Sequence, residues 1–254
     1  MMKSQPLKLI HAPNPPAWTP AQAWAYALGA PYHVLHDVPL NALPEPVRGN
    51  VEPLRTMLSD GWSVNDEESL LNVLNWLGTE GHRKGHRLEL RRYSVWRRPS
   101  IAARREELRD AGQEDLEALW RIDAIQADTD GMRGADLIAF DAARAVMLAR
   151  SGWLLGWLSE ERMWDYLLDI ARDVARRFSS WTDYATDFQR SRNMWRGTNA
   201  RDDFDRTLEL LLEDKTSPWR RLPWRVEGLK IPRPARPFDA GAPIWWLETN
   251  DIDC

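Results

Sequence analysis

Apolar residues recur at helical spacing along most of the chain, and no stretch alternates polar and apolar for long enough to build a sheet. The pattern predicts a mainly α fold: a single multi-helix globular domain with a central buried helix and an irregular Pro-rich C-terminal tail. Thr19 followed by Pro20 signals an N-cap and first helical position, with the helix running to about Leu28 and stopped by Gly29 and Pro31. A second helix is predicted over Pro46 to Ser59. A third runs from Asp66 to about Leu77, capped by Asn65, with Glu68 at the capping-box position and an apolar stripe of Leu70, Leu71, Leu74 and Leu77. Gly78 to Gly85 reads as a glycine-punctuated turn. Arginine-rich helical segments follow around Leu88 to Trp96 and Ile101 to Ala111, and another from Glu114 to Asp128.

The stretch Ala135 to Arg150, ADLIAFDAARAVMLAR, is apolar on nearly every side, the mark of a helix buried in the middle of a domain. Gly152 is placed to end it. Ser159 caps the next helix, which continues to about Phe178, with Glu160 and Glu161 favourable at its positive end. Ser180 to Arg196, closed by Gly197, and Asp202 to Glu213 complete the helical series. Pro232, Pro234, Pro237 and Pro243 exclude a regular helix beyond, where short strands near Ile244 to Leu247 are the alternative.

Composition narrows the class. Of 254 residues, 43% are hydrophobic and 28% charged, an ordinary mixture for a folded chain. No apolar run is long enough to cross a bilayer, and Met1 to His11 lacks a signal-peptide core, so the expected location is the cytoplasm, with no membrane partner. The one cysteine, Cys254, excludes an intramolecular disulfide. A net charge of −4 gives no global reason to bind nucleic acid, although His82 to Arg109 is locally basic. Fifteen tryptophans are the unusual feature, and they imply a core with many indole N–H hydrogen bonds.

Several segments together resemble one family. They are Trp62 with NVLNWLGTEGHR (Asn72 to Arg83), FDAAR (Phe140 to Arg144) followed by SGW, FSSW (Phe178 to Trp181), RNMWRG (Arg192 to Gly197) and SPWRRLPW (Ser217 to Trp224). This set resembles the DUF1266 proteins of bacteria, the YbeU and YbeR type among them. The resemblance implies a bacterial source and a helical domain over residues 61–224. Residues 1–60 then form an N-terminal helical extension packed on that core, and 225–254 the irregular tail. It implies no activity, cofactor or catalytic residue.

The sharpest physical anomaly is Asp141 with Arg144 inside the apolar helix. Three residues apart, they share a face and can pair, and a buried charge without a partner is costly. They form a structural ion pair, joined by Arg192 or an indole N–H, or they line a polar site with Arg192 and His82 in which Asp141 is an acid or base and Arg144 an anion clamp.

His82 and His86 have the spacing of two metal-binding imidazoles on a helix, but the glutamate of the zinc-protease motif is missing and no third ligand lies near, so no metal is expected. Ser179 and Ser180 lack a nucleophile elbow, and no phosphate loop or dinucleotide fingerprint occurs, so no cofactor is expected. In SPWRRLPW each tryptophan follows a proline, which fits a rigid extended strap anchoring Trp219 and Trp224. Together with Trp181 and Trp195 these indoles are the candidate binding residues.

The leading expectation is a non-catalytic protein-interaction module with a protein partner, by analogy an immunity or accessory protein in antagonism between bacteria. The rival is a hydrolase or toxin-like enzyme around Asp141, Arg144, Arg192 and His82. A weaker third is nucleic-acid binding through the aromatic and basic residues of 82–109.

Overall fold

The computed structural model describes residues 7–45, 50–108 and 113–229. Among them the regular structure is entirely helical. The elements are α1 (Pro20–Ala27), α2 (Ala30–Leu35), α3 (Glu52–Trp62), α4 (Glu67–Thr79), α5 (Gly81–Val95), α6 (Arg98–Glu107), α7 (Gln113–Ala127), a 3-10 segment (Thr129–Gly134), α8 (Ala139–Leu154), α9 (Glu160–Arg177), α10 (Trp181–Arg196), α11 (Asp203–Glu213) and α12 (Pro218–Arg221).

α8 is the axis of the molecule, buried from Ala139 through Gly152. Helices α4, α9 and α10 pack around it, α1 lies on α9, and α2 fits between α8 and α11. The first helices are integral to this core: Trp24, Tyr26 and Leu28 are among its fully buried side chains. A second, smaller core of Leu90, Tyr93, Ile101, Leu108, Ile122, Ile125, Met132, Leu137 and Met194 joins α5, α6 and α7 to the 3-10 segment and the end of α10. The chain is thus one helical body with two apolar centres and a seam between them.

Local chemistry sets the ends. Thr19 and Gln22 form the capping box of α1, Ser159 and Ser180 cap α9 and α10, and Asp202 and Asp205 form the box of α11. Gly197, at φ 60°, takes the left-handed conformation that closes α10.

Several boundaries differ from the sequence expectation. The cap of α4 is Asp66, and its reciprocal partner is Ser69 where Asn65 and Glu68 were expected, because the Asp66 carboxylate reaches the Ser69 N–H at 2.8 Å. The segment expected over Pro46 to Ser59 is helical from Glu52 to Trp62, and residues 46–49 lie outside the described residues. The glycine-rich stretch from Gly78 to Gly85 is largely helix. α4 and α5 meet at Glu80, where Gly81, at φ 56°, absorbs the change of direction. Propensity loses there because Leu90 and Tyr93 on the same helix must reach the second core.

Gly152 does not end α8, which continues to Leu154. A Cβ at Gly152 would lie 2.1 Å from Leu70 Cδ2, so the glycine serves the close approach of α4 to α8. Ser217 to Trp224 is not wholly extended either. Ser217 Oγ accepts from the Trp219 N–H at 3.1 Å and starts the short α12, with Pro218 at its first position. The strands considered near Ile244 to Leu247 lie outside the described residues.

Candidate functional site

The seam between the two cores carries the charges that an apolar helix should not contain. Asp141, on the first turn of α8, is 1% exposed and stands at the centre of a cationic ring. Arg144, one turn on, donates Nη2 to Asp141 Oδ1 at 2.5 Å and Nε to the Phe140 carbonyl at 3.3 Å. From α5, the Arg83 backbone N–H and Nη1 donate to Asp141 Oδ2 at 3.2 and 3.1 Å. The same guanidinium donates to the carbonyls of Leu77 and Gly78, satisfying the end of α4. His82 Nδ1 lies 3.6 Å from Asp141 Oδ1.

Burial opposes the negative charge of Asp141, but His82, Arg144 and Arg83 around it outweigh that cost and hold its carboxyl down at about 2. The carboxylate is therefore ionised at any physiological pH. Burial lowers the pKa of Arg83, and Asp141 opposes the shift.

An aromatic shell surrounds this network. The Arg144 guanidinium carbon lies 3.8 Å from the Phe140 ring centre, 5.5 Å from that of Trp62 and 5.9 Å from that of Trp195. His82 is met edge-on by Trp76 at 4.7 Å and by Trp62 and Trp195, each at 6.4 Å. Trp195 is 45% exposed and the His82 side chain 31%, so the network is dry below and open at its aromatic rim. Chemically, a carboxylate 3.6 Å from one imidazole nitrogen attracts its N–H but does not hydrogen-bond it, while the large exposed indole offers contact area.

Of the residues singled out from the sequence, Asp141, Arg144 and His82 converge and Trp195 forms part of their rim. Arg192 does not join the ion pair. Its Nη2 donates to Asp202 at 2.5 Å and its guanidinium lies 4.3 Å from the Phe204 ring centre, which ties α10 to the start of α11. Trp181 and Trp219 are buried and stack at 5.6 Å, with Trp24 and Trp224 edge-on or tilted against Trp181. Trp181 Nε1 donates to the Leu222 carbonyl at 2.9 Å and Trp219 Nε1 to that of Ala27 at 2.8 Å, so these indoles anchor the 217–224 segment across α1 and α10. Trp224 is only partly buried beside them.

Arg83, Trp62 and Trp76 belong to the site, although the sequence marked them only through the family resemblance and not as candidate site residues. Arg83 is 58 residues from Asp141, and the one sequence signal was its place in GHR, directly after the glycine that lets the chain turn. His86 pairs with Glu89 at 3.2 Å, away from His82's partner, and among the described residues no group of three or more His, Cys, Asp or Glu could hold a metal.

The segments that meet here, Asn72 to Arg83, Phe140 to Arg144 and Arg192 to Gly197, are those that carried the family resemblance. The profile of a family described as "Protein of unknown function (DUF1266)" matches residues 57–224, well over half of the chain. The chain belongs to the DUF1266 family. Comparison with curated proteins gives no match, and neither does comparison with solved structures. In this DUF1266 protein the matched region runs from the last turns of α3 to Trp224, so it encloses the whole Asp141 network and the tryptophan strap. Helices α1 and α2 precede it, yet they supply part of the same core.

Proposed function

We propose that this DUF1266 protein is a non-catalytic protein-interaction module of the bacterial cytoplasm, and that its contact surface is the aromatic rim of Trp62, Trp76, His82 and Trp195. The supporting observation is the contrast within the site. The charged groups satisfy one another in the interior, whereas the 45% exposed indole of Trp195 stands at the surface. Tryptophan and arginine are the residue types that most often anchor protein interfaces, and a rim held rigid by a buried ion network presents them at small entropic cost. The narrower role, an immunity or accessory protein in antagonism between bacteria, rests on analogy with other small tryptophan-rich helical proteins.

The test is a pull-down from the native cell with the tagged full-length chain at physiological salt, comparing wild type with Trp195→Ala. The reading expects one partner at stoichiometric amounts on the wild type, lost on the variant, and the same difference when purified partner and chain are mixed. A partner held equally by both, or none, overturns it.

A second reading has one specific observation in its favour: the 3.6 Å approach of His82 Nδ1 to a fully buried, ionised Asp141, longer than the hydrogen bond that orients the general-base imidazole of hydrolases and close enough to tighten into one when substrate binds. It predicts hydrolysis of some member of an ester, amide and phosphodiester panel by the wild type and not by His82→Gln. The nucleic-acid reading has less support. Several basic residues of 82–109 already have acidic partners within the fold, Arg87 at Asp136, Arg104 at Glu107, Arg105 at Asp123 and Arg83 at Asp141.

A further inference from the structure

Further along α8 from the Asp141 network lies a second buried cation, with the opposite bookkeeping. Arg150 is 4% exposed, its Nε and Nη1 are covered and make no hydrogen bond, and among the described residues no carboxylate lies within ion-pair distance. The groups around it are equally unsatisfied. His33 of α2 is completely buried, with neither ring nitrogen hydrogen-bonded, and Tyr26 of α1 is buried with the Arg150 guanidinium beside its oxygen and no acceptor for its own O–H. The Tyr26 and His33 rings stack at 4.2 Å, and Gly29, between the two helices, keeps the imidazole close by lacking a Cβ that would lie 3.0 Å from His33 Nε2.

The charge of these groups is one-sided. A guanidinium has only donors, and although the phenol and the neutral imidazole each bring an acceptor as well as a donor, neither brings the negative charge that a buried guanidinium requires. Burial, reinforced by Arg150 and His36, keeps His33 neutral, and burial pushes Tyr26 up to about 12 against the pull of Arg150, so neither side chain supplies a negative charge. Native interiors rarely leave so many donors idle in one place, and a buried cation without an anion is among the least tolerated features of a fold. Water would satisfy donors without neutralising the charge.

We propose that Arg150, His33 and Tyr26 form a buried site for one small monovalent inorganic anion of chloride type, held between α1, α2 and α8. The anion neutralises Arg150 and accepts the idle N–H and O–H groups. It is a structural ligand of the helical core, separate from the aromatic rim and independent of what binds there.

The test uses the full-length protein and halide as the probe. Thermal unfolding is followed as sodium chloride replaces sodium gluconate at constant ionic strength, gluconate being too large to enter a core site. The expected result is a saturable rise in Tm, about 3–6 °C at ten times the halide Kd, with bromide acting similarly. Arg150→Met keeps the length and apolar character of the stem, and it should melt at one temperature in both salts. Because that variant could fail to fold, crystals of the wild type grown in bromide give a second readout. A bromide anomalous peak beside Arg150 and His33 is expected. A Tm indifferent to halide together with water alone at that position overturns the proposal, as does a halide effect that survives in a folded Arg150→Met.

Discussion

Gly81 and Asp141 touch so closely that a Cβ on the glycine would lie 2.1 Å from the aspartate Oδ2. The glycine also stands at φ 56°, in the left-handed region. Two demands thus coincide at one position: the chain must turn from α4 into α5, and the carboxylate must come within reach of the Arg83 N–H. Gly81→Ala is expected to destabilise the protein by about 2–4 kcal/mol, the sum of left-handed strain and displacement of a buried charge. Urea unfolding should show a lower midpoint with an unchanged slope. Wild-type stability in the variant would mean that the α4–α5 junction is not built around Asp141.

Removing the charge from Asp141 while keeping its shape isolates the electrostatic part. Asp141→Asn leaves Arg83 and Arg144 buried without a counter-charge, and loss of a partner in such a network costs about 3–5 kcal/mol. A double variant, Asp141→Leu with Arg144→Met, removes one charge of each sign and should be more stable than Asp141→Asn alone. If the double variant is the worse of the two, the network contributes more than mutual neutralisation.

The acid response follows from the same group. Asp141 has its carboxyl at about 2 in the fold against 3.8 when unperturbed, so folding favours its ionised form. Its contribution, about 2 kcal/mol by linkage, is complete above pH 4 and is lost as pH falls toward 2. Asp187 acts in the reverse sense. Burial raises its pKa although the N–H groups of Leu137 and Ala139, at 2.8 and 3.0 Å, favour its ionised form, so its contribution is present below the ordinary carboxylate range and lost as pH rises. Comparing the stability of wild type and Asp141→Asn between pH 2 and pH 5 should show the gap closing toward the acid end. A gap that is constant over this range would contradict the depressed carboxyl.

How much of this could be read from the chain depends on sequence distance. Asp141 with Arg144 was legible because both lie on one helix, and a charge in an apolar stretch demands a local partner. The starts of α9 and α10 were legible through Ser159 and Ser180, since a cap acts within three residues of itself. His82 was a sequence candidate beside Asp141 and Arg144, but Arg83 was not legible as a site residue, because its partner Asp141 lies on another helix and the glycines around it resemble a turn. Asp187 was hidden for a similar reason. It caps α8 from α10, so nothing adjacent to Ala139 announces where that helix begins. Trp219 and Trp224 were read as anchors from the prolines before them and grouped with Trp181 and Trp195 as binding residues, but which indoles face inward is fixed by packing against Trp24, far away in sequence.

The strap gives a prediction about hydrogen bonding inside that cluster. Trp219→Phe retains an aromatic ring against Trp181 but leaves the Ala27 carbonyl without its indole donor, for a loss of about 1–3 kcal/mol. Trp219→Ala adds a cavity and should cost about 3–5 kcal/mol. Near-ultraviolet circular dichroism should weaken in both, because the stacked indole pair is broken. If Trp219→Phe matches wild type in stability, the segment is held by ring packing alone.

Gly152 separates two meanings of a glycine. As a helix terminator it would stand in the left-handed conformation and oppose alanine through its backbone, whereas inside α8, where it stands, alanine alone would gain helix propensity. In the fold its missing Cβ makes room for Leu70 of α4, whose Cδ2 would lie 2.1 Å from an added methyl. The obstructing atom is the end of a flexible side chain, so Leu70 can turn aside, but both residues are buried and the neighbouring space is filled by Leu158. Gly152→Ala is therefore expected to destabilise by about 1–3 kcal/mol, the usual cost of overpacking, and Gly152→Ala with Leu70→Val should recover part of the loss. A stabilised single variant would show that α4 and α8 are free to separate, and would move the origin of their close packing away from this contact.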